Sequence, residues 1–255
     1  MTSVAAVAFA LALGIRWPDA RLAVIFLTIL LSQLSISALN DWADRDRDAA
    51  AHRPRPVAVG RIPPAVALGL AIVVPLGMLP GALAFGPIAG TVLVIGLLAG
   101  WAYDLWLKPT ALSFLPFAVA FPLLPTWVGL VAGRSLSSFI WLIPAGAFLA
   151  AAIHLADSLP DIKTDAASGL RTLAVQLGSR RTIAAISGCI MVGGLIVLAA
   201  VGARPLLALV VAIAAVLATV MIVRAASRRP QAIRWVAAGY GVLAAISLIS
   251  VLPDV

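Results

Sequence analysis

Glutamate is absent from this chain of 255 residues: all ten acidic residues are aspartate. Charged residues of both signs make up only 11% of the sequence, against roughly 25% in soluble domains. So little charge cannot coat a water-facing surface, and the 63% hydrophobic content marks an integral membrane protein instead. Cysteine is nearly missing too. Cys189 stands alone, which excludes an intrachain disulfide framework, and within an apolar segment it reads as a small buried hydrophobe. The first apolar run has no basic residues before it and no convincing small-residue cleavage site after it, so no signal peptide is expected. The formal charge of +8 does not point to nucleic acid. Lysine and arginine fall in short clusters between apolar stretches, the pattern that orients a membrane protein.

Long apolar runs are what the chain has in abundance. About 20 residues are needed per spanning helix. By that ruler the sequence predicts nine spans, at residues 3–15, 20–41, 63–85, 87–105, 112–132, 137–158, 181–201, 204–223 and 234–252. The expected fold is all-α, with nine transmembrane helices around a central cavity in one domain over residues 1–255. The first run is short before Arg16-Trp17-Pro18, so that span either thins the bilayer or begins upstream. Pro75, Pro80, Pro116, Pro122, Pro125 and Pro144 lie inside predicted spans, where neighbouring helices can satisfy the freed carbonyls and kinks can open a cavity. Of the eighteen basic residues, fourteen lie in the loops after the second, fourth, sixth and eighth helices: Arg45, Arg47, Arg53, Arg55, Arg61, Lys108, Lys163, Arg171, Arg180, Arg181, Arg224, Arg228, Arg229 and Arg234. Arg16, Arg21, Arg134 and Arg204 lie on the other side. The N-terminus and the loops richer in basic residues are therefore expected in the cytoplasm of a bacterial-type cell.

Those loops also hold seven of the ten aspartates. One cluster is Asn40 to Asp48, NDWADRDRD, and the other is Asp157 to Asp165, DSLPDIKTD. A four-residue helical step turns about 400°, so Asp44 and Asp48 should share a face, joined by Asp41, as should Asp157, Asp161 and Asp165. Like charges so spaced repel, and a membrane boundary adds a desolvation cost. A cation between the rows removes both penalties. Mg²⁺ favours oxygen ligands and takes one or two carboxylates together with substrate phosphate oxygens. Two facing rows therefore suggest a diphosphate held through metal. Asn40, Asp44 and Asp48 map onto Asp157, Asp161 and Asp165 at a constant shift of 117 residues (157 less 40), which is also four helices. This hints at two related four-helix halves plus a ninth helix. Each row is followed by a basic loop containing glycine: Arg53, Arg55, Gly60 and Arg61 after the first, Gly169, Arg171 and Gly178 after the second. Guanidinium groups there could clamp the diphosphate.

The chain resembles the UbiA superfamily of intramembrane prenyltransferases. The first motif of that family, NDxxDxxxD, is met by Asn40, Asp41, Asp44 and Asp48, and a following RPxxxG by Arg55, Pro56 and Gly60. The second motif is met by Asp157, Asp161 and Asp165, then GxxTL by Gly169, Thr172 and Leu173. A YxxxxLK signature is met by Tyr103 to Lys108, with Asp104 where the family often has serine. The short gap from Asp48 to Arg55 resembles chlorophyll synthases and archaeal digeranylgeranylglyceryl phosphate synthases more than the hydroxybenzoate enzymes. The second motif lacks the Gly-Asp-Arg of several subfamilies, which leaves the acceptor class open. The resemblance implies Mg²⁺-dependent transfer of a prenyl group from an isoprenyl diphosphate to an aromatic or lipid-like acceptor. Asp44, Asp48, Asp157 and Asp161 would hold metal; Arg53, Arg55, Lys108, Arg171 and Asn40 would hold the diphosphate; and Asn40 and Asp41 would position metal or acceptor, beside Asp165 and Tyr103.

Several residues admit plainer readings. Tyr103 faces the reacting cation or anchors the interface. Asp104 assists the metal or pairs with Lys108. His154 shares the Asp157 face and takes the acceptor proton, or simply packs. Asp46 is half a turn out of phase and solvated; His52 has no assigned role. A terpene cyclase on the same scaffold would show the same motifs. A cation transporter fits less well, because the aspartates sit at helix ends beside arginines. The DGxxAR signature of phosphatidyltransferases is absent, and soluble isoprenyl synthases are excluded by the apolar spans.

Overall fold

The computed structural model describes the backbone of residues 2–202, 204–228 and 230–251, and their side chains except at 226–228 and 230. Arg229 and Leu252, which enter the expectations above, lie outside the described residues, as does the side chain of Arg228. Among the described residues all regular structure is helical. The helices are α1 (Thr2–Ala12), α2 (Ala20–Ala43), α3 (Arg45–Ala50), α4 (Pro64–Leu83), α5 (Pro87–Ala102), α6 (Leu115–Val131), α7 (Leu142–Ser158), α8 (Ile162–Ala167), α9 (Leu173–Val201), α10 (Pro205–Arg228) and α11 (Ile233–Ile249). A π-helical turn, Tyr103–Leu107, extends α5.

Local chemistry explains where these helices begin. Asp19 caps α2 by accepting the Arg21 amide at 2.8 Å. The Arg21 side chain also grips that carboxylate, which holds Asp19 below the ordinary carboxyl range. Pro64 and Pro87 open α4 and α5, where the missing N–H would have had no intrahelical partner. Thr172 caps α9 by accepting from the Val175 amide. Pro75 and Pro80 lie within α4 without ending it, as expected for a helix in lipid.

Each of the nine predicted spans is occupied by a helix among the described residues. Six are long and apolar enough to cross a membrane: Ala20–Ala43, Pro64–Leu83, Pro87–Leu107, Leu136–Ser158, Leu173–Val201 and Pro205–Ala225. The apolar helices Thr2–Ala12, Leu115–Val131 and Ile233–Ile249 are shorter than that, at 11, 17 and 17 residues. The chain is thus a multi-pass integral membrane protein. Leu76, Leu195 and Leu206 are at least 60% exposed, which would be a liability in water and is ordinary against lipid tails.

The chain divides into two compact units, residues 1–106 with 123–134, and residues 107–122 with 135–255. In the first, α2 packs along α4, and the core gathers Ile25, Ile29, Met78, Leu93, Trp127 and Val128. Gly100 lets α5 approach α2 closely, since a Cβ there would stand 2.6 Å from Ile36. In the second, α7 packs on α9 and α11, and the core holds Phe139, Leu149, Ile186, Ile190, Ile222 and Tyr240.

Candidate active site

The first aspartate row is not one straight helix. Backbone bonding runs on from Asn40 through Asp44 to Asp48, with Asp44 N–H to Asn40 O at 2.9 Å and Asp48 N–H to Asp44 O at 2.8 Å. Yet Asp44 has φ −91° and ψ −1°, which ends α2 and starts the six-residue α3. Asp44 and Asp48 are both buried, Asp48 to 2% exposure. Asp46 is solvent-exposed and pairs loosely with Arg45 at 3.5 Å. Each inward carboxylate meets a basic or amide group. Arg47 pairs with Asp44 Oδ1, Arg53 Nη1 lies 3.3 Å from Asp48 Oδ1, and Arg55 Nη1 lies 3.7 Å from Asp41 Oδ1. Asn40 Nδ2 donates to Asp104 Oδ1 at 2.7 Å and reaches Asp44 Oδ2 at 3.4 Å.

The second row lies in the other unit and breaks over a longer stretch. Helix α7 ends at Ser158, and Asp161, with φ −94° and ψ 0°, stands just before the six-residue α8 without a side-chain capping bond. Here too the expectation of one continuous helical face needs correcting: the break falls between Asp157 and Asp161, because Pro160 has no N–H to continue the ladder. Asp157 and Asp161 are exposed and Asp165 is half-buried. Asp157 lies within electrostatic reach of Arg234 on α11 and of Asp161.

From Asp44 and Asp161 onward the two turns match at the 117-residue shift, Asp48 N–H to Asp44 O at 2.8 Å answering Asp165 N–H to Asp161 O at 2.8 Å, whereas the entry differs: Asp161 N–H bonds Ser158 O, not Asp157 O. Asp44 and Asp161 share one backbone conformation; so do Ala51 (φ −86°, ψ 5°) and Ser168 (φ −84°, ψ 7°). His52 and Gly169 both take positive φ, 52° and 75°. Arg53 N–H bonds Asp48 O at 2.9 Å where Leu170 N–H bonds Asp165 O at 3.0 Å. Sequence reasoning placed no role on His52; its positive φ, where the second turn has glycine, is what the residue does for the loop.

Other candidates fall around these turns. Tyr103 opens the π-helical turn in the first unit, and Lys108, half-buried, belongs to the second. The Arg171 amide donates to Pro109 O at 2.9 Å, which ties the basic loop after the second row to the residue following Lys108. His154 is buried, its Nε2 3.1 Å from Ser113 Oγ and its ring stacked on Phe117 at 4.4 Å. Sequence reasoning missed Ser113, Phe117, Pro109 and Arg234, since nothing in their local pattern distinguishes them from ordinary span and loop residues.

Among the described residues no three histidine, cysteine or acidic side chains gather closely enough to hold a metal alone. Mg²⁺ does not require that: one or two carboxylates and a substrate phosphate suffice. The donors are carboxylate oxygens in both turns, with the Asn40 amide oxygen in the first, hard ligands that suit this ion, and a carboxylate as buried as Asp48 calls for a cation beside it.

A model of the UbiA prenyltransferase family matches residues 1–248. The chain is 30% identical over 168 residues to digeranylgeranylglyceryl phosphate synthase of Korarchaeum cryptofilum, covering 64% of this chain and 59% of that protein. It is 28% identical over 177 residues to the bacteriochlorophyll synthase 33 kDa chain of Cereibacter sphaeroides, covering 65% and 57%. The matched region thus spans less than two thirds of the length of these curated relatives. A solved UbiA homologue from Archaeoglobus fulgidus, bound to GPP and Mg²⁺, superposes with a TM-score of 0.72 at 16% identity, over 98% of this chain and 94% of that one.

Proposed function

The chain belongs to the UbiA prenyltransferase family, and from that premise we propose that it transfers a prenyl group from an isoprenyl diphosphate to a small aromatic or lipid-like acceptor, with Mg²⁺ as cofactor. The observation that carries this reading is the pair of matching aspartate turns, each leading into a basic loop. The Archaeoglobus homologue bound to GPP and Mg²⁺ supports the donor and the metal.

In this proposal Asp44, Asp48, Asp157 and Asp161 hold the metal, with Asp41 and Asp165 completing the rows. Bound there, Mg²⁺ supplies neutralisation of the charge that builds on the departing diphosphate. Arg53 and Arg55 are more than half exposed and only loosely engaged with Asp48 and Asp41. They can turn to the diphosphate, whose oxygens match the guanidinium fork. Lys108 and Arg171, brought to one place by the Pro109 hydrogen bond, do the same from the second unit. Asn40 orients the first row, and Tyr103 offers an aromatic face to the allylic cation. The apolar spans exclude water, which would quench that cation. The matched turns also support two related four-helix halves and a ninth helix within one domain. The excess of basic residues beside both rows supports a cytoplasmic site in a cell membrane.

The test is diphosphate release from prenyl diphosphates of several lengths by the purified chain in detergent, with and without Mg²⁺. Phenolic, quinone-precursor and lipid acceptors are then screened by mass spectrometry. Release that ignores Mg²⁺ would sink the proposal, and a cyclic hydrocarbon formed without acceptor would assign a terpene cyclase instead.

A further inference from the structure

Asp104 sits where the sequence resemblance leads one to expect serine, and it is 7% exposed. It comes off the π-helical turn at the end of α5, a wider turn that recurs at functional positions. One turn earlier, Trp101 Nε1 donates to Ser35 Oγ at 3.0 Å, and Ser35 Oγ donates to Ala71 O at 2.7 Å. The end of α5 is thereby pinned to α2 and α4. This anchor delivers Asp104 to Asn40, the only asparagine in the chain.

A carboxylate can only accept, whereas a side-chain amide has a donor end and an acceptor end. Asn40 has Asp104 Oδ1 at 2.7 Å and Asp44 Oδ2 at 3.4 Å from its Nδ2. The 2.7 Å distance suits a charge-assisted bond. Both neighbours demand N–H, so the amide cannot flip, and its carbonyl oxygen is the end turned away from them. A serine hydroxyl at 104 could accept or donate and would permit either flip. Arg47 holds the other oxygen of Asp44, so the row Asp104, Asn40, Asp44, Arg47 is a single hydrogen-bonded chain within one unit.

We propose that Asp104 is a positioning residue for the first aspartate turn: it locks the Asn40 amide so that Asn40 steadies Asp44 and presents Oδ1, a hard oxygen, on the metal side. This rests on the prenyltransferase reading for the metal; the amide lock itself does not.

The test uses the full chain in detergent. With ¹⁵N-asparagine labelling, Asn40 contributes the only side-chain amide signal, and Asp104→Ser leaves that count unchanged. The lock predicts two well-separated geminal proton resonances in the unsubstituted chain, which draw together in Asp104→Ser. Mn²⁺ binding, followed by electron paramagnetic resonance without substrate, should weaken about tenfold in Asp104→Ser. In an Asn40→Ala background the same change should have no further effect. The isosteric Asp104→Asn supplies the binding measurement if the serine variant does not fold. Unmoved amide resonances overturn the lock. Mn²⁺ binding indifferent to Asp104, or weakened equally in the Asn40→Ala background, overturns the positioning role while the prenyltransferase reading stands. An unsubstituted chain that binds no Mn²⁺ overturns both.

Discussion

Asp48 is almost completely buried, and the arginine paired with it at 3.3 Å, Arg53, is largely in solvent. A carboxylate in that position is costly unless a stronger cation joins it, so the functional proposal makes its sharpest demands at single residues. Asp44→Ala and Asp161→Ala should each reduce Mg²⁺-dependent diphosphate release by about 100-fold or more, with helical content unchanged by circular dichroism. Retained release in either variant would break the link between the rows and the chemistry. Arg53 and Arg55 make a different prediction. Arg55→Lys keeps the charge and loses the bidentate fork, so KM for the prenyl diphosphate should rise several-fold while kcat changes less. Initial rates over a range of donor concentrations decide it.

Elements respond through backbone conformation and interhelical bonds. The loop after each aspartate turn needs positive φ at one place, which His52 supplies in the first and Gly169 in the second. A Cβ at Gly169 would meet no atom within 4 Å, so any cost of Gly169→Ala is backbone strain alone. It should be about 1 kcal/mol. His52→Gly should be neutral or mildly stabilising, because the same strain is already present there. Thermal unfolding in detergent measures both, and equal losses for the two would contradict this account. Ser35 links α2, α4 and α5 through two hydrogen bonds while fully buried. In water, orphaning its partners would cost about 1–3 kcal/mol. Interhelical bonds in membranes average nearer 0.6 kcal/mol, so the membrane value governs and Ser35→Ala should cost about 1 kcal/mol at most.

At the scale of the molecule the proposal concerns sidedness. With Cys189 replaced by serine, a cysteine at Ser168 beside the second row should react with a membrane-impermeant maleimide only in inverted vesicles. One at Ser137, near Arg134, should react only in right-side-out vesicles. The opposite pattern would put the rows outside the cell, away from cytosolic diphosphates. The two aspartate turns belong to separate compact units. A double-mutant cycle on Mn²⁺ binding between Asp44 and Asp161 would show coupling if they share a site and additivity if they do not.

The helical class, the positions of the predicted spans and the aspartate rows could all be read from the residues, because lipid forces backbone bonds to close within each helix and confines charge to the ends. The 117-residue correspondence was visible at three positions, and the backbone of both turns repeats it in detail. The break of the first row at Asp44 was not legible, whereas Pro160 marked the break of the second. A period-four spacing looks the same whether the helix continues or bends for one residue. Nor could the sequence show that Asp104 meets Asn40, 64 positions away, or that Arg171 is tied to Pro109. Those contacts arise from how helix ends come together in the folded chain, and no pattern along a single helix records them.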